Sequence, residues 1–92
     1  MFKVLIYLDG TFLEKSKQDV ESFEDLIINL GFDAYHNYFE IELPTLPNIG
    51  EKLTIVPENN KQKHFNVTDI EHIHYQKTKE TKINIFVEFQ NN

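Results

Sequence analysis

The chain has 92 residues and no cysteine, which excludes a disulfide framework and any thiolate metal site. Its 15 acidic residues outweigh 9 basic ones, all lysine, for a formal charge of −6; the acidic balance and the absence of arginine argue against nucleic acid and anionic membrane as partners. The length implies one domain, residues 1–92, with a thin core, because a chain of this size buries only roughly 60–65% of its unfolded surface.

Phe2 to Leu8 has the length and apolarity of a strand. Phe2, Val4, Ile6 and Leu8 point to one side and Lys3, Leu5 and Tyr7 to the other. Apart from Lys3 both sides are apolar, so the strand is expected to be covered on both faces. Asp9-Gly10 stops it with turn chemistry. The apolar run is too short for a signal peptide and lacks a small-residue cleavage site. No stretch approaches the ~20 apolar residues of a membrane helix, and the expected location is cytoplasmic.

Val20 to Leu30 carries the helical rhythm, with Val20, Phe23, Leu26, Ile27 and Leu30 on one face. Asp19 is the N-cap candidate, Glu21, Glu24 and Asp25 place acids where the dipole favours them, and Gly31 suits the left-handed closing residue. The stripe is expected to cover Leu5 and Tyr7. The period then changes to two. In Tyr38 to Leu43, Phe39, Ile41 and Leu43 alternate with Tyr38, Glu40 and Glu42. Pro44 ends that strand, and a stiff loop runs to Gly50. Lys52 to Val56 is the next strand, and Pro57 to Gln62 a polar turn. His64 to Gln76 is a long strand whose inward phase, Phe65 and Val67, slips before Ile70, so a β-bulge is expected near Thr68-Asp69. After a turn at Lys77 to Thr81, Lys82 to Phe89 faces Ile83, Ile85, Val87 and Phe89 inward, leaving Phe86 on the outward phase of what reads as a sheet edge.

The order β-α-β-β-β-β predicts an α+β fold, mainly antiparallel β: a small, partly open SH3-like barrel, or a five-stranded sheet with one packed helix. Leu43-Pro-x-Leu-Pro-x-x-Gly-Glu51, followed by Phe65-x-Val67-x-x-Ile70, resembles small bacterial β-barrel domains of the SH3-like kind. These motifs are structural and cover about half the chain, so the resemblance implies a fold and no activity.

No segment assembles a catalytic set. Asp9-Gly10-Thr11 after an apolar strand resembles the second half of the haloacid dehalogenase phosphatase signature, but that family's nucleophilic aspartate falls on Tyr7, which offers no carboxylate. Glu40/Glu42 and Glu24/Asp25 sit on expected solvent faces rather than across a cleft. Pro44-Thr-Leu-Pro47 has PxxP spacing without a flanking cation, and reads as a loop. His72-x-His74 projects two imidazoles from one strand face about 6.5–7 Å apart. That is the spacing of a candidate Zn²⁺ pair, with His36, His64 or a carboxylate as a third ligand. Of the lysines, 5 fall within residues 59–82 beside only 3 acids, for a local net of +2. They divide between the two ends of the long strand, so no continuous phosphate-binding stripe is expected.

The leading expectation is a non-enzymatic protein-interaction or accessory module of a larger bacterial or phage-derived assembly, with no cofactor. It would bind a protein partner or a second copy through Phe86, Tyr35 and Tyr38. The alternative is a small-ligand or metal-binding domain, or a minor enzyme, using His72 and His74.

Overall fold

A computed structural model of the chain describes residues 1–8 and 20–90, without the side chains of 20–23, 25 and 90. Asp9-Gly10-Thr11 and Asp19 therefore lie outside the described residues, as do the side chains of Val20, Glu21, Phe23 and Asp25. The elements are β1 (Phe2–Leu8), α1 (Val20–Leu30), β2 (Tyr38–Leu43), β3 (Lys52–Ile55), β4 (Lys63–Tyr75) and β5 (Glu80–Gln90). The strands form one five-stranded sheet in the order β2-β1-β5-β4-β3. It is antiparallel except between β1 and β5, and it curls into a half-barrel that, among the described residues, carries one short helix.

The period-2 pattern of each strand sets the inner face. Val4, Ile6 and Leu8 of β1, Phe39 of β2, Phe65 and Val67 of β4 and Ile85 and Val87 of β5 are all buried in one cluster. Register keeps them together: Ile6 stands opposite Phe39 on one side and Ile85 on the other. The expected bulge is present. The β4–β5 register shifts between Val67 and Asp69, and Thr68 Oγ1 donates to the Phe86 carbonyl at 3.0 Å. The extra residue returns Ile70 to the inner phase opposite Ile85.

Two expectations about neighbours are corrected. Leu26 of α1 belongs to the same buried cluster as Val4, Ile6 and Leu8, with Leu30 packed against it. The helix thus caps the inner face and does not lie over Leu5 and Tyr7, because a half-barrel has its large open apolar area on the inside. The end of α1 supports this placement: Gly31 is left-handed (φ 68), and the Phe32 N–H donates back to the Leu26 carbonyl at 3.2 Å, turning the buried Phe32 into the core. Secondly, β5 is not an edge. It is the central strand, paired along both sides.

The Pro44–Gly50 loop is tied down. Gly50 N–H donates to the Val67 carbonyl at 2.8 Å and Val67 N–H to the Glu51 carbonyl at 2.9 Å, while Leu46 packs against the core. Within the PxxP segment Leu46 faces the core, while Pro44 and Thr45 are exposed. The long β4–β5 hairpin contributes to an elongated shape of 42 × 24 × 24 Å. Among the described residues no helix is long and apolar enough to cross a membrane.

Candidate interaction surface

The outer face is built by the opposite phase of the same strands. Cross-strand register runs Tyr38 of β2 to Tyr7 of β1, Tyr7 to Phe86 of β5, and Phe86 to Asp69 of β4. Side chains directly opposite on neighbouring strands touch. The Tyr7 and Phe86 rings stack with centroids 5.4 Å apart and planes 23° from parallel. Tyr7 and Tyr38 are also 5.4 Å apart, tilted by 36°. Three rings thus form a transverse row that ends in the exposed carboxylate of Asp69.

The next row along the strands reads Glu40, Leu5, Asn84, Glu71. It places an exposed acid at each end. Lys3 reaches Glu40 at 3.3 Å. Asn84 is 8% exposed, the one buried polar residue among those described. Its Nδ2 donates to Glu71 Oε1 at 3.1 Å, and its Oδ1 is buried without a hydrogen-bond partner. A carbonyl oxygen in that condition carries a desolvation cost of about 1–3 kcal/mol.

The β2 end of the aromatic row continues into a rigid turn. Asp33 N–H donates to the Tyr38 carbonyl at 2.8 Å, and Asn37 N–H to the Asp33 carbonyl at 2.7 Å. The Asp33 carboxylate accepts from the Tyr35 N–H at 2.9 Å and the His36 N–H at 3.1 Å, an Asx-type turn. Its Oδ2 lies 2.8 Å from His36 Nδ1. The His36 ring, then the backbone amides of His36 and Tyr35, hold the Asp33 carboxyl below its ordinary range. The ring of Tyr35 stands edge-on to that of His36 at 4.9 Å, and His36 is 6.1 Å from Tyr38. Tyr35 is 91% exposed, so most of its ring faces solvent.

The three residues expected from sequence to form an interaction surface therefore fall on one continuous strip. Phe86 and Tyr38 are joined through Tyr7, and Tyr35 through His36. Tyr7, Asn84 and Glu71 were missed as members. The outward phase of both central strands was available as a signal, since Leu5, Tyr7 and Phe86 are apolar on the face that also carries Lys3, Glu40, Asp69 and Glu71.

His72 and His74 do share one face, in phase with Ile70 and opposite Ile83 and Thr81. His74 Nδ1 lies 3.0 Å from Thr81 Oγ1. The two histidines considered as further ligands are engaged elsewhere, His36 with Asp33 and His64 with Thr54 at 2.9 Å. Among the described residues no group of three His, Asp or Glu side chains is assembled in a way that would hold a metal ion. No known protein family, curated protein or solved structure matches the chain.

Proposed function

We propose that this chain is a cytoplasmic, non-enzymatic interaction module, an accessory part of a larger assembly, that docks a protein partner through the outer-face row Tyr38–Tyr7–Phe86. We also propose the SH3-like barrel as the closer description of its half-barrel. The observation that carries the functional reading is the row itself: three rings on adjacent strands, stacked on one another rather than under the helix, with Phe86 and its neighbours only half-buried. Rigid aromatic side chains supply contact area at small entropic cost, which is why they dominate the centres of protein interfaces. Covering the remaining ring surface contributes on the order of 1 kcal/mol per ring, taken as half of a full Phe burial.

The test is selection of binders from a displayed peptide library against the immobilised chain. Selected peptides are expected to lose at least tenfold in affinity against both Tyr38→Ala and Phe86→Ala, each shown to be folded by circular dichroism. Peptides that bind these variants as well as the original chain would overturn the reading.

A further inference from the structure

We propose that the partner segment seated on this row carries arginine, its guanidinium lying on the Tyr7–Phe86 stack and pairing with Glu71 and Asp69. The inference rests on the docking role just proposed and adds the chemistry of what docks.

Around the rings the surface presents acceptors. Asp69 closes the aromatic row, and Glu71 closes the row beside it. Both are exposed. Asp69 uses one oxygen on the Ile70 N–H at 2.9 Å, and Glu71 one oxygen on Asn84. Opposite Glu71 on β5, next to Phe86 in the outward phase, Asn84 Oδ1 is buried and without a donor. Lys3, the cation on the β1 row nearest by register, is drawn to Glu40 on β2, away from β4, and Lys82 lies over the Tyr75 ring at 5.6 Å. The ligand that fits must bring N–H donors, positive charge and a flat face. A guanidinium has all three, being planar, permanently charged and able to stack on a ring while donating sideways to carboxylates. An ammonium has the charge without the plane. A phosphate or carboxylate group would be repelled.

The unpaired Oδ1 is an independent observation on the same spot. A central strand position between Leu5 and Glu71 is one where a branched apolar residue would be more stable than an asparagine with an unmet acceptor. The arrangement makes sense if a donor arrives from outside. Glu71 is solvent-exposed, and its second carboxylate oxygen can accept from an incoming guanidinium while Oε1 keeps its bond from Asn84 Nδ2. These 92 residues contain no arginine, so a second copy of them does not supply the donor, and the occupant is a partner segment that carries arginine.

The probe is a short acetylated, amidated peptide containing Arg-Leu-Arg, titrated into the labelled protein and followed through the Tyr7, Tyr38 and Phe86 ring signals. Three controls accompany it: the same peptide with citrulline, with lysine and with aspartate in place of arginine. Saturable shifts confined to the row are expected for arginine, at least fivefold weaker for lysine and citrulline, and absent for aspartate. Glu71→Gln is expected to weaken arginine binding at least fivefold. Asn84→Val is expected to raise the urea midpoint while weakening the same binding, a combination that a purely structural asparagine would not give. Equal binding of arginine and citrulline peptides, or full binding by Asn84→Val, would overturn the inference while leaving the docking role intact if shifts still map to the row. Absence of any shift at the row with the arginine peptide overturns it as well, and library binders that ignore Phe86 would remove both readings.

Discussion

Asn37 shows how much of the interaction strip hangs on single side chains. Its backbone is left-handed (φ 66), a region asparagine tolerates better than most residues. Its Nδ2 donates to the Leu8 carbonyl, and its own carbonyl accepts from the Leu8 N–H at 3.2 Å. One residue therefore fastens the end of β1 to the turn that presents Tyr35 and His36. Asn37→Ala loses the side-chain bond and strains the backbone, for an expected cost of about 1–2 kcal/mol. Asn37→Gly loses only the bond and is expected to cost less, an order that urea denaturation of the two variants checks. Asp33 adds a pH dependence. Its carboxyl titrates below the ordinary range because of His36 and the turn amides. For a depressed carboxyl the stabilisation is complete above the ordinary carboxylate range and fades as pH falls through the lowered value. Urea midpoints are expected to decline with acidification more steeply in the original chain than in Asp33→Asn. Equal slopes would mean that the turn contributes nothing to the pH response.

Among the elements, β5 separates the two faces most clearly. Ile85 is fully buried on the inner side, so Ile85→Ala is expected to cost about 2–5 kcal/mol. Leu26→Ala is expected to fall in the same range, because Leu26, fully buried, joins the helix to that cluster. A loss below about 1 kcal/mol for Leu26→Ala would mean the helix is peripheral. Much of this was legible in the residues. Alternation located the strands to within a few positions, and the phase slip before Ile70 marked the bulge. Neighbour relations were not legible. Alternation states which residues share a face of one strand, but not which strand lies alongside. Leu5, Tyr7 and Phe86 read as surface in need of a cover, and the helix was the nearest apolar object in sequence. In the fold these residues lie beside one another, β1 against β5, while the helix serves the inner face. The acceptor chemistry at Asn84 was invisible for the same reason, since Glu71 becomes its partner only through the β4–β5 register.

For the whole molecule, charge and topology make separate predictions. A net charge of −6 should keep the chain off duplex DNA and single-stranded RNA at physiological salt. Sub-micromolar binding in an electrophoretic shift assay would contradict the reading of the outer face as acceptor-rich. Topology predicts a gradient of hydrogen exchange. The Ile83–Val87 amides lie between two paired strands and are expected to exchange slowest. The Gln76–Lys79 tip, which is solvent-exposed and turns through a left-handed Lys79 (φ 62), should exchange fastest.

The central place of β5 also governs when the fold can exist during synthesis. β1 and β2 can pair as soon as they are made, and so can β3 and β4, but these are two separate ribbons with no hydrogen bonds between them in the sheet order. Two-stranded ribbons are at best marginal in water. The strand that joins them is the last to be made. A ribosome-bound chain is therefore expected to expose both apolar surfaces until Glu80–Gln90 emerges, and then to fold in a single late step. Protease resistance of arrested nascent chains would appear abruptly at that length; resistance acquired earlier would mean that the β3–β4 ribbon and the helix find a stable arrangement without the strand between them.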